Sequence, residues 1–200
     1  MADDASSLQS APELPELVSE LAGSCVRFVH GAVGVQLDFT HETLPVLDHY
    51  LRNARVEVQQ RPETADLLTQ SLGAYFGMVL AAGFGGLWRV PSTDVHEWFL
   101  YLQPAFLAVN PIGVACDVLF EGGRHDGPSG ELRVAASERA LIAERLQSVS
   151  PVPEDEYYTF VARYETFQLC FDTLRAEMDR GGLDDVSFEL GDYLDEFDLG

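Results

Sequence analysis

The chain contains no lysine; its 12 basic residues are all arginine. That absence removes the phosphate-binding loop of standard form and any lysine Schiff-base chemistry. Bases of any kind are scarce, with 33 Asp and Glu against those 12 and a formal net charge of −21. Affinity for a phosphate backbone rests on neutralisation by Lys and Arg, so the balance argues against nucleic acid as a partner and equally against an anionic membrane surface. Cysteine is sparse too. Cys25, Cys116 and Cys170 stand far apart with no Cys-x-x-Cys pair, the usage of reduced thiols in a cytoplasmic protein. The acidic start has neither the positive region nor the apolar stretch of a signal peptide. The longest apolar stretch, Leu72 to Leu87, is broken by Gly73, Gly77, Gly83, Gly85 and Gly86, so no bilayer-spanning segment is expected. A lysine-free chain rich in Ala, Gly, Leu and Arg is what a GC-rich, bacterial coding sequence produces.

Motifs that carry chemistry are missing as well. His30, His41, His49, His96 and His125 show no His-x-x-x-His spacing, and read as surface or capping residues rather than metal ligands. Gly127 to Gly130 lacks the spacing of a nucleophile elbow. The glycines from Gly83 to Gly86 follow a helical pattern, not a strand, which makes them a helix stop and not a dinucleotide loop. Cys116 sits among Val114, Ala115, Val118 and Leu119 and reads as a small core residue; Cys25 and Cys170 fall on buried helical stripes. The expectation is therefore no catalytic residue, no metal site and no cofactor, with enzyme activity left to residues that only folding could assemble.

What is present is a globular composition, 46% hydrophobic and 10% aromatic over 200 residues. The fold class expected is α+β: a single domain over residues 1–182, mostly helical, with helices packed on a small antiparallel sheet at about residues 87–109, and an acidic-hydrophobic C-terminal tail over 183–200. After a polar lead-in over residues 1–12, apolar positions from Leu14 to Val29 predict a first helix from Glu13 to about His30, stopped by Gly31 and Gly34. A second begins between Thr40 and Thr43, either of which could cap it, with Leu44, Leu47, Tyr50 and Leu51 inward. A third runs from about Pro62 to Ala82 and buries Leu67, Leu68, Leu72, Tyr75, Phe76, Val79 and Leu80. Gly73 and Gly77, four apart on it, each cost roughly 1 kcal/mol of helix propensity, which close approach of another backbone would offset. Strands follow over 87–90, 97–102 and 105–109. Residues 112–120 are helix or strand, 121–130 a glycine-rich loop, 131–134 a short strand, and Ser137 caps a helix ending near Val149.

The last helix, from Glu154 to Arg180, carries Tyr157, Phe160, Tyr164, Phe167, Phe171, Leu174 and Met178 at alternating spacings of three and four. A seam of this kind is core, or else the contact of a homodimer.

Leu37 to Leu51, then Leu72 to Gly77 (Leu-Gly-Ala-Tyr-Phe-Gly), then Phe84 to Trp88 (Phe-Gly-Gly-Leu-Trp) resemble uncharacterised bacterial domains. In those, a Leu-Asp helix precedes an Ala-Tyr-Phe/Leu-Gly-Glu helix and a Gly-Gly-x-Trp turn leads into a small sheet. The resemblance covers residues 35–110 and implies an α+β fold but no activity; Met78 stands where those domains have the glutamate.

The tail is the most informative segment. Residues 183–200 hold seven carboxylates and no base, interleaved with large apolar side chains. As a helix over 184–198, Val186, Leu190, Tyr193 or Leu194, and Phe197 line one stripe, and Asp185, Glu189, Asp192 and Glu196 another. That is the pattern of a helix laid in a hydrophobic groove with acid flanks suited to a basic rim, the receiving surface being a partner's or the protein's own body. These nine residues are the expected partner-binding set. The function expected is a non-enzymatic acidic protein-interaction module, an adaptor or immunity-type protein with a basic or groove-bearing protein partner. Self-association is the alternative, or a small-molecule binder or enzyme, which would show a polar-lined cavity containing His96, Trp98 or Cys116.

Overall fold

The computed structural model describes residues 15–183 and 186–198. The expected lead-in, the start of the first helix before Pro15, and Asp185 lie outside the described residues. The α+β expectation holds. Eight α-helices surround a four-stranded antiparallel sheet of order β1-β2-β3-β4 among the described residues: β1 Gly86–Arg89, β2 Phe99–Leu102, β3 Leu107–Val109 and β4 Arg133–Val134.

Helix α1 (Glu16–Val33) runs through Gly31 and ends at Gly34, which adopts the left-handed conformation (φ 73°). A 3-10 turn, His41–Thr43, leads into α2 (Leu44–Gln60), with Pro45 in its first turn. Thr43 is the N-cap residue of α2, as one of the two candidates, but its side chain makes no capping bond; the hydroxyl pairs with the Tyr75 hydroxyl at 2.7 Å. Helix α3 (Ala65–Phe84) is the central element, packed on α1 and α4. Together with the 3-10 turn before it, Pro62–Phe84 is long and apolar enough to cross a membrane by length and composition, contrary to the expectation from its glycines. Those apolar residues are used in the core, where Leu72, Tyr75, Phe76 and Leu80 are fully buried. Leu67, expected inside, is 54% exposed. A β-carbon on Gly73 would sit 2.5 Å from Ile112 Cα, and one on Gly77 would collide with the Trp88 indole. The glycine pair therefore lets α4 and the first strand close on α3.

Residues 111–119 resolve to a helix, α4 (Pro111–Leu119), because Asn110 accepts the Gly113 N–H at its N-terminus and Pro111 starts its first turn. Helix α5 (Arg139–Gln147) starts later than expected; Glu138, not Ser137, is its N-cap residue, and no side chain caps it.

The expected long last helix is two helices, α6 (Glu154–Tyr157) and α7 (Phe160–Arg180), broken at Tyr158 and Thr159. The break has a cause in α2. The buried Asp48 carboxylate accepts the Phe160 N–H at 2.7 Å and the Val161 N–H at 3.2 Å, while Thr159 accepts the Ala162 N–H. Three free amides of a new helix start are thereby satisfied. Arg55, one helical stretch further along α2, holds the other side of the break by donating to the carbonyls of Val118 and Tyr158. Tyr157 consequently leaves the seam and is 46% exposed, while Phe160, Tyr164, Phe167, Leu174 and Met178 are buried. The seam is core, with the Phe76 ring packed at a tilt against both Phe160 and Phe167.

The sheet has two different faces because side chains alternate along a strand. Leu100, Leu102, Leu107 and Val109 point into the main core with the helices; Tyr101 and Ala108 point the other way. That outer face is covered by the chain's own end, α8 (Leu190–Asp198).

Candidate functional site

Two places combine exposed or unusual chemistry with defined geometry. The first is α8 on the sheet. Gly181 and Gly182 end α7, Gly182 with φ 72°, and the chain turns back across the outer face. Tyr193 is fully buried there, its hydroxyl donating to the Leu102 carbonyl at 3.0 Å, its ring 5.2 Å from Tyr101 and 5.3 Å from Phe106. Burial pushes its phenol pKa up. The Phe188 ring centre lies 4.3 Å from that of Phe106, tilted against it, and Phe197 lies 6.1 Å from Tyr101. Leu190 and Leu194 complete this second apolar cluster, and Val186 is half-buried outside it.

The structure thus brings the expected apolar stripe together, on the protein's own sheet. Glu189, Asp192 and Asp195 are exposed, and Asp192 also accepts the Glu189 N–H at 2.7 Å, closing the first turn of α8. Glu196 is half-buried at the edge of a groove of about 620 Å³ lined by Arg133, Arg139 and Phe197. Burial and then the Glu196 charge raise the Glu138 carboxyl pKa above its ordinary value, and Glu138 Oε2 is buried without a partner.

The second place holds two of the three residues named for a polar-lined cavity, His96 and Cys116, together with groups no spacing announced. The glycine-rich loop after α4 folds back over that helix, and its glycines permit the fit: a β-carbon on Gly130 would meet Val114 and Asp117 at 2.6 Å, and one on Gly113 would collide with Ser129. This return sets His125 against α4. Its Nε2 lies 3.3 Å from Asp117 Oδ1, and its ring stacks on Phe120 at 5.6 Å. A cavity of about 450 Å³ opens beside it, lined by Cys116, His125, Thr69, His96, Arg124 and Asp66 among others. Trp98 is not part of the lining; it is buried, its indole N–H donating to the Ser92 carbonyl. Burial raises the Cys116 thiol to about 11, partly opposed by the Thr69 hydroxyl beside it. The one signal in the sequence was the adjacency Cys116-Asp117 followed by a loop with glycine enough to come back.

Among the described residues, no group of three or more His, Cys, Asp or Glu side chains is arranged to hold a metal ion. His41 stacks on Tyr164 and is exposed, and His49 is exposed on α2. No protein-family model, curated protein or solved structure matches the chain.

Proposed function

We propose that the chain is an acidic protein-interaction module that takes a basic protein partner, and that the partner meets the outward carboxylates of α8. One observation carries this reading: the apolar stripe of α8 is already satisfied by Tyr101, Phe106 and their neighbours, so the surface α8 offers is its charge. Charge of one sign on a protein at −21 steers an oppositely charged partner and accelerates encounter at low salt. Glu189, Asp192, Asp195 and Glu196 are the residues that would face its basic rim. The test is binding to a partner captured from the native lysate, measured for the full chain and for Glu189→Gln/Asp195→Asn/Glu196→Gln at two salt concentrations. A partner of basic composition that is lost on neutralisation and on raising salt supports the reading. One held equally by both forms at high salt sinks it.

A second reading, binding of a small molecule, is favoured by the polar-lined cavity that holds both His96 and Cys116.

A further inference from the structure

The cavity of about 450 Å³ between α3, α4 and the returning loop has a floor and a rim that differ in kind. Its buried lining is Thr69, Ile112, Cys116 and Pro128, with the half-buried Phe120 beside them. Its exposed lining is charged or titratable and comes from three parts of the chain. Asp66 stands at the start of α3, His96 in the 3-10 turn Val95–Glu97, and Arg124 and Asp126 on the loop. The ion pairs among the described residues are Arg55–Glu121, His125–Asp117, Arg175–Asp179 and Arg180–Glu177, so Asp66, Arg124 and Asp126 belong to none of them. An arginine without a carboxylate partner stands out in a chain with 33 acids. His125 adds a vacant acceptor to the wall. The Asp117 carboxylate can only accept, so Nε2 of the neutral ring donates to it and Nδ1, which is buried without a partner, keeps its lone pair.

We propose that this cavity binds, without covalent attachment, a small zwitterion of the amino-acid class with an apolar side chain. The inference rests on the small-molecule reading of the cavity and names its ligand; it does not depend on the α8 reading. Arg124 matches the carboxylate, because a guanidinium offers parallel donors to both oxygens. Asp66 and Asp126 match the ammonium group. Ile112 and Phe120 receive the apolar side chain, whose burial supplies affinity that the charges alone would not. An ion of one sign fits less well. A simple cation would be set against Arg124 and a simple anion against two carboxylates, and like charges brought together select against such ligands. The size agrees, since small-molecule sites run from roughly 300 to 1,000 Å³. The walls are also in place before anything binds. A β-carbon on Gly130 would meet Val114 at 2.6 Å and one on Gly113 would collide with Ser129, so loop and helix backbones are in direct contact. Little binding energy is then spent on ordering the loop.

The experiment titrates L-phenylalanine, L-leucine and L-methionine into the native, full chain and follows backbone amide shifts by NMR. Each compound is also tested as its amide, which lacks the carboxylate, and as its N-acetyl derivative, which lacks the ammonium group. Salt is held at about 0.15 M, where the pull of the net charge on any cation is screened. Saturable shifts at Thr69, Ile112 and residues 124–127 are expected from at least one zwitterion. Its amide and N-acetyl forms should bind at least about tenfold more weakly, the loss of one charge-assisted contact. Arg124→Ala, at an exposed position, should weaken the zwitterion about as much and leave the affinity of the amide unchanged. Equal binding of all three forms, or unchanged zwitterion affinity in folded Arg124→Ala, would overturn the ligand class. Uncharged indole separates that failure from a failure of the small-molecule reading itself. Shifts at the same amides from indole, with none from the zwitterions, would overturn the class and keep the cavity as a binding site. Silence from every compound would overturn both.

Discussion

The two faces of the sheet are built on different terms. The inner face presents Leu100, Leu102, Leu107 and Val109 to a helical layer that α3 and α4 close tightly through Gly73 and Gly77. The outer face presents Tyr101 and Phe106 to a nine-residue helix that carries exposed acids on its other side. Inside, the cover is anchored from many directions: Asp48 caps α7, Arg55 clasps α4 and the α6–α7 break, and Phe76 bridges Phe160 and Phe167. Outside, among the described residues, the cover hangs from the fully buried Tyr193 ring and two hydrogen bonds to the sheet region, Tyr193 to Leu102 and Gln103 to Phe188. A helix that short is marginal without its docking surface, so its order and its attachment are one event.

Deleting a ring on each face separates these cases. Phe167→Ala should lower global stability by about 3–5 kcal/mol, seen as a shift of the whole denaturation curve. A change in oligomer mass with monomer stability kept would mean that the seam is an interface and not core. Gly73→Ala should cost about 1–3 kcal/mol, also globally, since a β-carbon there meets α4 backbone rather than a side chain that can swing away. Tyr193→Ala should be as severe for α8 but local: amide exchange rises over 186–198 and at β2, while the α3 amides keep their protection. Global unfolding of that variant would show that both faces form one cooperative unit. Tyr193→Phe removes only the bond to the Leu102 carbonyl and should cost about 1 kcal/mol.

The smallest effect expected is on pH. The Glu138 carboxyl is raised above its ordinary value by burial and by Glu196, so its contribution to α8 docking is fully present below the unfolded pKa and lost as pH rises through the folded one. The protection factor at α8, that is exchange corrected for its base-catalysed intrinsic rate, should therefore be higher in mild acid than at neutrality, and Glu138→Gln should flatten that difference. Asp48 is also raised, by desolvation that its two amide bonds only partly oppose, but it faces the inner layer and should act on global stability instead. An α8 profile unchanged in Glu138→Gln would assign the pH effect elsewhere.

Much of the helical layer was readable, since a core stripe repeats every three or four residues whatever it packs against. The period could not show the α6–α7 break. Tyr157 fits the spacing, but Asp48, more than a hundred residues away, supplies the acceptor that restarts the helix at Phe160. Leu67 fits its stripe too, yet it lies 54% exposed, in an open groove shared with Phe28 of α1 and Tyr50 of α2. In β2, aromatic Phe99 and Tyr101 alternate with Leu100 and Leu102; apolar groups on both parities suit a strand covered on both faces, but they do not say by what. The tail's two stripes were equally plain, and its receptor was not. Cys116 and His125 have no spacing that announces them, because a loop and not a helical period brings them together.

The sequence by itself determined the charge, the α+β class, the positions of most helices and the amphipathic character of the last segment. These are local properties, set by composition and by the period of each element. Only the tertiary structure decided that the apolar side of α8 closes the chain's own sheet, that Asp48 cuts one helix into two, and that Cys116 looks into a cavity beside an unpaired imidazole nitrogen. Each of those joins groups distant in the chain, and which amphipathic faces meet depends on packing in three dimensions that no period along the sequence encodes.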